Sequence, residues 1–482
     1  MARVETIVFL SLVLDLFAFT IPLPLFPRLI EWYTLRETSD PSGFLSRTLQ
    51  SVSFVRSLFY KSSAHSQRWD VVLLGGLMGS VFSTLQFFVS PKIGSLSDKY
   101  GRKRVLLVTM IGNIMSAIVW TQSTTFASYM LSRVIGGLSE GNVQLAIAIL
   151  SDVSTPANRS KALAHVGIAF AICFCIGPPI GAYFASRPLP HSMDSWGPEL
   201  NVYAAPAFLT LILLVAETVF LMLFLPETRG RGHTVDQGKE QPESPSTTPH
   251  ATINGGASNG SPKLPRKFSV EQRIETLKSL RRLHFQFLGI FSGMEFTLTF
   301  LTFDLLDWNN KQNGMLIGSI GIISALLQGG YVRRATSKIG EGVMARRGVS
   351  SCAAGLFLLA LLPRHVTMNP KLAIKLLQGG AVCLAFTSAT VVNSLTALAS
   401  LQCDEGGSDD VTGKPIEEHP QLAKGKALGQ FRSSGQLGRA IGPLLACASY
   451  WTFGPSITYG VSGLAMLTIS AGMKSIAAKK SS

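Results

Sequence analysis

The chain is poor in charge, and poorer still in acid: 15% of its 482 residues are charged, with 28 Asp and Glu against 43 Lys and Arg. A soluble domain carries nearer a quarter charged residues, so the deficit argues against one. Cysteine is scarce as well. The six cysteines show no paired spacing, and Cys173, Cys175, Cys352, Cys383 and Cys447 fall inside apolar runs. Neither a disulfide framework nor a metal site is expected. The sequence has no Gly-rich phosphate loop and no nucleophile set beside a base within an apolar run. ATP-driven chemistry and enzymatic catalysis are therefore not expected, nor is any cofactor. The first apolar run, from Val4, lacks a small-residue cleavage site and reads as a retained helix rather than a signal peptide.

What is present is apolar. Hydrophobic residues make up 47% of the chain, and the mean hydropathy is +0.31. Crossing a bilayer takes about 20 apolar residues, and about twelve such runs appear. The first six are Val4–Leu29, Val71–Val89, Val105–Thr121, Phe126–Ile149, Ala162–Phe184 and Tyr203–Leu225. The second six are Phe285–Leu306, Met315–Tyr331, Val349–Leu362, Leu372–Leu401, Ala427–Tyr450 and Ser456–Met473. The expectation is an all-α membrane protein of twelve spans in two six-helix halves, residues 1–225 and 284–482, joined by a linker over 226–283. Pro226–Leu264 is rich in Gly, Ser, Pro and Thr and reads as a disordered linker. Ser269 followed by Gln272 fits a capping box. The helix it starts is either a basic amphipathic helix lying on lipid or a plain lead-in to the seventh span.

A net charge of +15 raises the question of nucleic acid, which its placement argues against. Lys and Arg gather at 92–104, 159–161, 229–282, 333–347 and the C-terminal lysines, whereas the loops at Gln122–Thr125 and Phe453–Pro455 carry none. Alternate loops are basic, the positive-inside asymmetry of a multi-pass protein with both termini in the cytosol. The sequons at Asn158 and Asn259 fall in loops on that side and should stay unmodified. The halves also repeat. Lys161-Ala-Leu163…Ile176-Gly177-Pro178 aligns with Lys426-Ala-Leu428…Ile441-Gly442-Pro443 at a constant offset of 265, without a gap.

Charged groups inside a span cost about 2.5–3.5 kcal/mol on insertion scales and are functional candidates by default. Asp15 in the first span and Glu295 in the seventh lie at matching depths. A carboxyl in low dielectric favours its neutral form, which suits a proton carrier; a structural hydrogen-bonding role is the alternative. Arg133 lies in the fourth span, where it either faces an acid of the first span or a substrate anion, or snorkels to the surface. Arg432 and Arg439, seven residues apart, share one face of the eleventh span about 10 Å apart. Their repeat partners are Gly167 and Phe174, so the second half has gained two cations. Facing a cavity, they would select anions.

The turn Gly94-Ser-Leu-Ser-Asp98-Lys-Tyr-Gly101-Arg102-Lys103-Arg104 sets one acid, two glycines and a basic cluster between two spans. It resembles the signature loop of the major facilitator superfamily, which joins the second and third helices. The resemblance implies that Asp98 caps a helix of the opposite half. It also implies that Arg102 pairs with an acid below the fourth helix, here Asp152, with Arg159 nearby. The corresponding turn in the second half, within Arg333–Arg347, keeps basic residues but reads as having lost the acid and the spacing. The surroundings of Arg133 resemble the superfamily's fourth-helix motif, whose arginine is associated with proton coupling. Gly167, Gly177-Pro178 and Gly181 resemble the fifth-helix motif of exporters that exchange substrate for protons, with Cys173 and Ala182 departing from it.

Together these segments resemble the tetracycline-efflux-like branch. The resemblance implies a monomeric secondary transporter exporting organic compounds against protons, surrounded by membrane lipid, in the plasma membrane or an intracellular one. The paired arginines point to organic anions. A non-transporting receptor or scaffold on the same fold, or a uniporter of a neutral metabolite, are the rival readings.

Overall fold

The structure is a computed structural model that describes residues 2–22, 25–37, 42–59, 66–155, 158–185, 203–229, 269–308, 310–404 and 419–474. Among these residues every regular element is helical. In chain order they are α1 (Ala2–Thr20), α2 (Phe26–Arg36), α3 (Phe44–Phe59), α4 (Ser66–Tyr100), α5 (Arg102–Thr121), α6 (Phe126–Ser139), α7 (Asn142–Val153), α8 (Arg159–Ala185) and α9 (Ala204–Phe224). The second half continues with α10 (Val270–Leu306), α11 (Asn310–Leu326), a π-helical turn (Leu327–Val332), α12 (Arg333–Ile339), α13 (Glu341–His365), α14 (Pro370–Leu401), α15 (Lys424–Phe453) and α16 (Pro455–Gly472). Twelve crossings result, with α6 and α7 forming one and α11, the π turn and α12 another. Eight are long and apolar enough to span a membrane on length and composition alone. Their outer faces stay apolar: Val108, Leu223 and Leu326 are 66%, 69% and 71% exposed, as expected of helices solvated by lipid rather than water.

Two apolar cores form. Leu12, Leu16, Leu106, Ile149, Leu214 and Leu221 belong to one, built from α1, α5, α7, α8 and α9. Leu280, Phe287, Leu356, Leu359, Leu377 and Tyr459 belong to the other, built from α10 and α13–α16. The halves meet most extensively along α4 and α15. Here Gly94 lies against the backbone of Gly425, and a Cβ on Gly94 would fall on the Gly425 carbonyl. A side chain at either place would drive the halves apart.

Several expectations change. The first span does not run to Leu29: α1 ends at Thr20, just before Pro22, whose ring cannot continue the hydrogen-bond ladder. The stretch between the first two apolar runs, residues 31–70, contains most of α2 and all of α3. Leu29, Ile30 and Tyr33 of α2 are buried, and Tyr33 Oη donates to the Ser123 carbonyl at 2.9 Å. The fourth span is not continuous. Glu140 adopts extended backbone and separates α6 from α7, and Gly141 then starts the second segment.

The capping box at Ser269 and Gln272 forms. The helix it starts does not lie apart on lipid, however. It runs unbroken into the seventh span, with Leu277 and Leu280 buried and Arg273 paired with Asp404 at 2.9 Å. The linker read as disordered from Pro226 begins folded. Glu227 accepts the backbone N–H groups of Arg102 and Lys103 at 2.8 and 3.1 Å, placing an anion on the N-terminus of α5. Residues 230–268 lie outside the described residues.

Candidate transport site and its gate

One end of the bundle gathers the basic residues, and there the two halves are bolted together. Asp98, near the C-terminus of α4, accepts the backbone N–H of Gly425 at 2.9 Å and of Lys426 at 2.7 Å. Its carboxylate thus caps the first turn of α15 in the opposite half, where the helix dipole and orphan N–H groups favour an anion. Arg102 holds that carboxylate from behind at 2.7 Å and reaches Asp152 at 2.9 Å. Lys424 crosses from α15 to Asp152 at 3.3 Å and to the Ser151 carbonyl at 3.2 Å. Arg159 lies fully buried at the start of α8 and donates to the carbonyls of Ser151 and Ser154 at 3.0 and 3.1 Å. Its other terminal nitrogen lies 3.4 Å from the Ser400 carbonyl of the opposite half. Gly101, at φ 100°, makes the turn that lets α5 start directly after α4. A Cβ there would also strike the Glu227 carboxyl.

The second half keeps this turn, contrary to the reading of its sequence. Gly340, at φ 84°, joins α12 to α13 as Gly101 joins α4 to α5. Glu341 therefore stands where Arg102 stands in the first half, with the charge inverted. It is buried and accepts the Ser160 hydroxyl at 2.5 Å. Ser160 is the repeat counterpart of Gly425. The acid is indeed lost from its first-half position, since Ser337 stands three residues before Gly340 as Asp98 does before Gly101, but the turning glycine is kept.

Deeper in the bundle, the charged groups form two sets. Asp15 accepts the Asn142 side-chain amide at 2.6 Å, and Asn142 is the first residue of α7, past the break. Glu140, in the break itself, acts electrostatically on Asp15, and Arg432 of α15 acts on both. Glu217 of α9 adds a third carboxyl within electrostatic range of Asp15 and Glu140. In the second set Glu295 of α10 lies in the field of Arg439 of α15. Both side chains are exposed although they sit midway along packed helices, so they open onto space inside the bundle. His284, buried and stacked on Phe431 with ring centroids 4.2 Å apart, lies in the field of Arg432 and Arg439.

Arg133 joins neither set. Its guanidinium lies over the Tyr129 and Trp120 rings, 5.5 and 5.9 Å from their centroids. The rotation of α6 turns it to aromatic faces on its own side, where a cation–π contact holds it. Of the alternatives for Arg133, pairing with the acid of the first span is not the one seen: Asp15 is held by Asn142 instead. The fifth-helix motif packs tightly. Gly177 and Gly181 sit on Thr20 and Ile21 at the end of α1, while Gly167 abuts Asn393 and Gln328 of the other half; Pro178 lies within α8 itself.

Glu140, Glu217 and His284 were missed in the sequence. Glu140 and Glu217 each interrupt an apolar run, and the cost argument applied to Asp15 applies equally to them; His284 lies just before the seventh run and leaves no such signal. No metal-binding group of three His, Cys, Asp or Glu side chains occurs among the described residues.

A twelve-span bundle in two repeated halves, bolted at one end and carrying opposed charges in its interior, defines a multi-pass membrane transporter. The Major Facilitator Superfamily profile matches residues 8–414, and the chain belongs to that superfamily, a group of transporters rather than enzymes. The chain is 32% identical to mouse (Mus musculus) major facilitator superfamily domain-containing protein 10, over 95% of this chain and 90% of that protein. The crystal structure of the human organic anion transporter MFSD10 (TETRAN) superposes with a TM-score of 0.76 at 28% identity, covering 98% of this chain and 99% of that one. The class B tetracycline resistance protein of Escherichia coli is 22% identical over 65% of this chain and 69% of its own length.

Proposed function

We propose that this protein is a proton-coupled secondary transporter of organic anions, with its basic end and both termini in the cytosol. The observation that carries the reading is the pair of arginines on α15. Arg432 and Arg439 are held inside the bundle, each in the field of a carboxyl from a different set of helices. An anion entering between them competes with those carboxylates for the same positive charge. A displaced carboxylate is left uncompensated in low dielectric and takes up a proton. Anion and proton then each favour the other's binding, a coupling free energy that is reciprocal by necessity. Asp15 and Glu295 are the carriers in this scheme. Arg133 shapes the field from the side.

Exchange of substrate for protons needs the opposite sign of coupling. It is the second reading, favoured by the glycines of α8 packed on the end of α1. Flux of carboxyfluorescein into proteoliposomes separates the two. Uptake driven by a proton gradient running the same way supports the first reading, and uptake against a counter-running gradient supports exchange. A protein that moves no organic anion under either gradient, in correctly folded form, is a receptor or scaffold instead. In this scheme the protein works as a monomer, and the bolt at the basic end is its cytosolic gate.

A further inference from the structure

The most unusual interior feature lies behind the arginines, in the first half. α1 presents a buried stripe of Val8, Leu12 and Asp15, and α9 presents Leu214, Glu217 and Leu221. The leucines and Val8 meet in one apolar core, so an acid interrupts each stripe where the two helices face the same interior. Glu217 is 1% exposed, and its Oε2 has no hydrogen-bond partner. A fully buried carboxyl oxygen that nothing donates to is costly as an anion, and protonation removes that charge. Asp15 has one donor, the Asn142 amide at 2.6 Å. Glu140 stands in the unwound link of the fourth span; a membrane helix breaks only where the freed backbone is buried in protein or lines a cavity, and the partial exposure of Glu140 favours the cavity.

Three carboxyls thus share one region, and among the described residues the guanidinium that acts on Asp15 and Glu140 is that of Arg432 from the opposite half. Among the described residues the Cys173 thiol of α8 also lies in the field of Asp15. α5 brings Thr109 and Met110, without charge. Three carboxylates against one arginine leave two uncompensated charges in an apolar core, which interacting acids avoid by sharing protons.

We propose that Asp15, Glu140 and Glu217 form one proton-binding site, with Glu217 storing a proton out of reach of the cavity and Arg432 setting the occupancy of the site. Glu140 is its cavity-side member, through which the proton arrives and leaves. Because Arg432 belongs to the other half, any movement between the halves changes the charge the triad feels. This inference rests on the proton-coupled reading above, yet its test does not require transport.

Infrared titration of the full-length protein in liposomes, without substrate, reads the protonated carboxyl band directly. At neutral pH the E217Q protein should lose the intensity of one carboxyl. R432Q should keep the remaining intensity to higher pH, and E140Q should shift the Glu217 signal without abolishing it. An E217Q spectrum identical to the parent at every pH overturns the proposal. So does a titration that neither R432Q nor E140Q moves, a result that stands even where E217Q fails to fold. Absent carboxyfluorescein flux alongside an intact E217Q-sensitive band would sink the transport reading and leave the site. Gradient-driven flux with no such band would sink the site alone.

Discussion

Removing the Asp98 carboxylate should open the basic end of the bundle, by an amount the geometry sets. Asp98 receives two backbone N–H groups of α15, at 2.9 and 2.7 Å, and both belong to the opposite half. These bonds exist only while that end is closed, so their whole contribution biases the closed state. A hydrogen bond to a charged group contributes about 1.5–3 kcal/mol. Asp98→Asn keeps one acceptor and turns an amide toward the second N–H, so roughly 2 kcal/mol is lost, or about 30-fold in the ratio of closed to open forms. Asp98→Ala loses both bonds and should shift the ratio several hundred-fold, on the order of 3–4 kcal/mol.

A native reporter sits in the seam. Cys403 is 2% exposed, and burial pushes its thiol up to about 12. The thiolate is the reactive form, so at neutral pH the closed protein reacts hardly at all and labelling proceeds through opening. In a variant retaining Cys403 alone, a water-soluble maleimide should label Asp98→Asn about 30-fold faster than the parent, while the open form stays in the minority. Asp98 also acts on the thiol directly, and Gly425→Val controls for this, because it opens the same seam without a charge change. Rates within threefold of the parent in Asp98→Asn, Asp98→Ala and Gly425→Val alike, in helical protein, would refute the gate.

Glu341→Gln should raise Cys403 labelling, because Glu341 accepts the Ser160 hydroxyl across the seam at 2.5 Å; a rate unchanged from the parent would count against a second bolt. Gly101→Ala should slow folding or lower thermal stability by roughly 1–2 kcal/mol, since L-residues resist φ near 100°; an unchanged melting temperature would count against that turn as a strained hinge. Arg439→Ala should weaken transport of an aryl carboxylate at least tenfold more than that of its neutral amide, since the guanidinium faces open interior space. Equal losses for both substrates would make Arg439 structural.

The fold was legible in the sequence because lipid imposes a coarse rule, about 20 apolar residues per crossing, and because the repeat at offset 265 ties α8 to α15 independently of hydropathy. What hydropathy averages away was lost. The break at Glu140 hides inside a run that is apolar on both sides, and the π turn at Leu327–Val332 leaves no mark on composition. Interior charges were legible as costs but not as contacts. Which group an arginine faces depends on the rotation of its helix, and a shift of one residue turns a side chain by about 100°. That is why the sequence leaves Arg133 open between an acid of the first span, a substrate anion and the surface, whereas the structure sets it on Tyr129 and Trp120.

The second turn carries the same lesson further. Its glycine persisted because a φ near 84° admits little else, whereas the next position changed partners along with charge: Arg102 binds Asp98 and Asp152 of its own half, and Glu341 reaches Ser160 of the other. In the first half Asp98 presents a carboxylate to backbone N–H groups beside Gly425; in the second, Glu341 presents one to the hydroxyl of Ser160, which replaces that glycine in the repeat. Each half thus keeps one acid bearing on the first turn of a helix in the other, reached from opposite sides of the turning glycine. The geometry of the bolt is held in common by the two halves, and its chemistry is not.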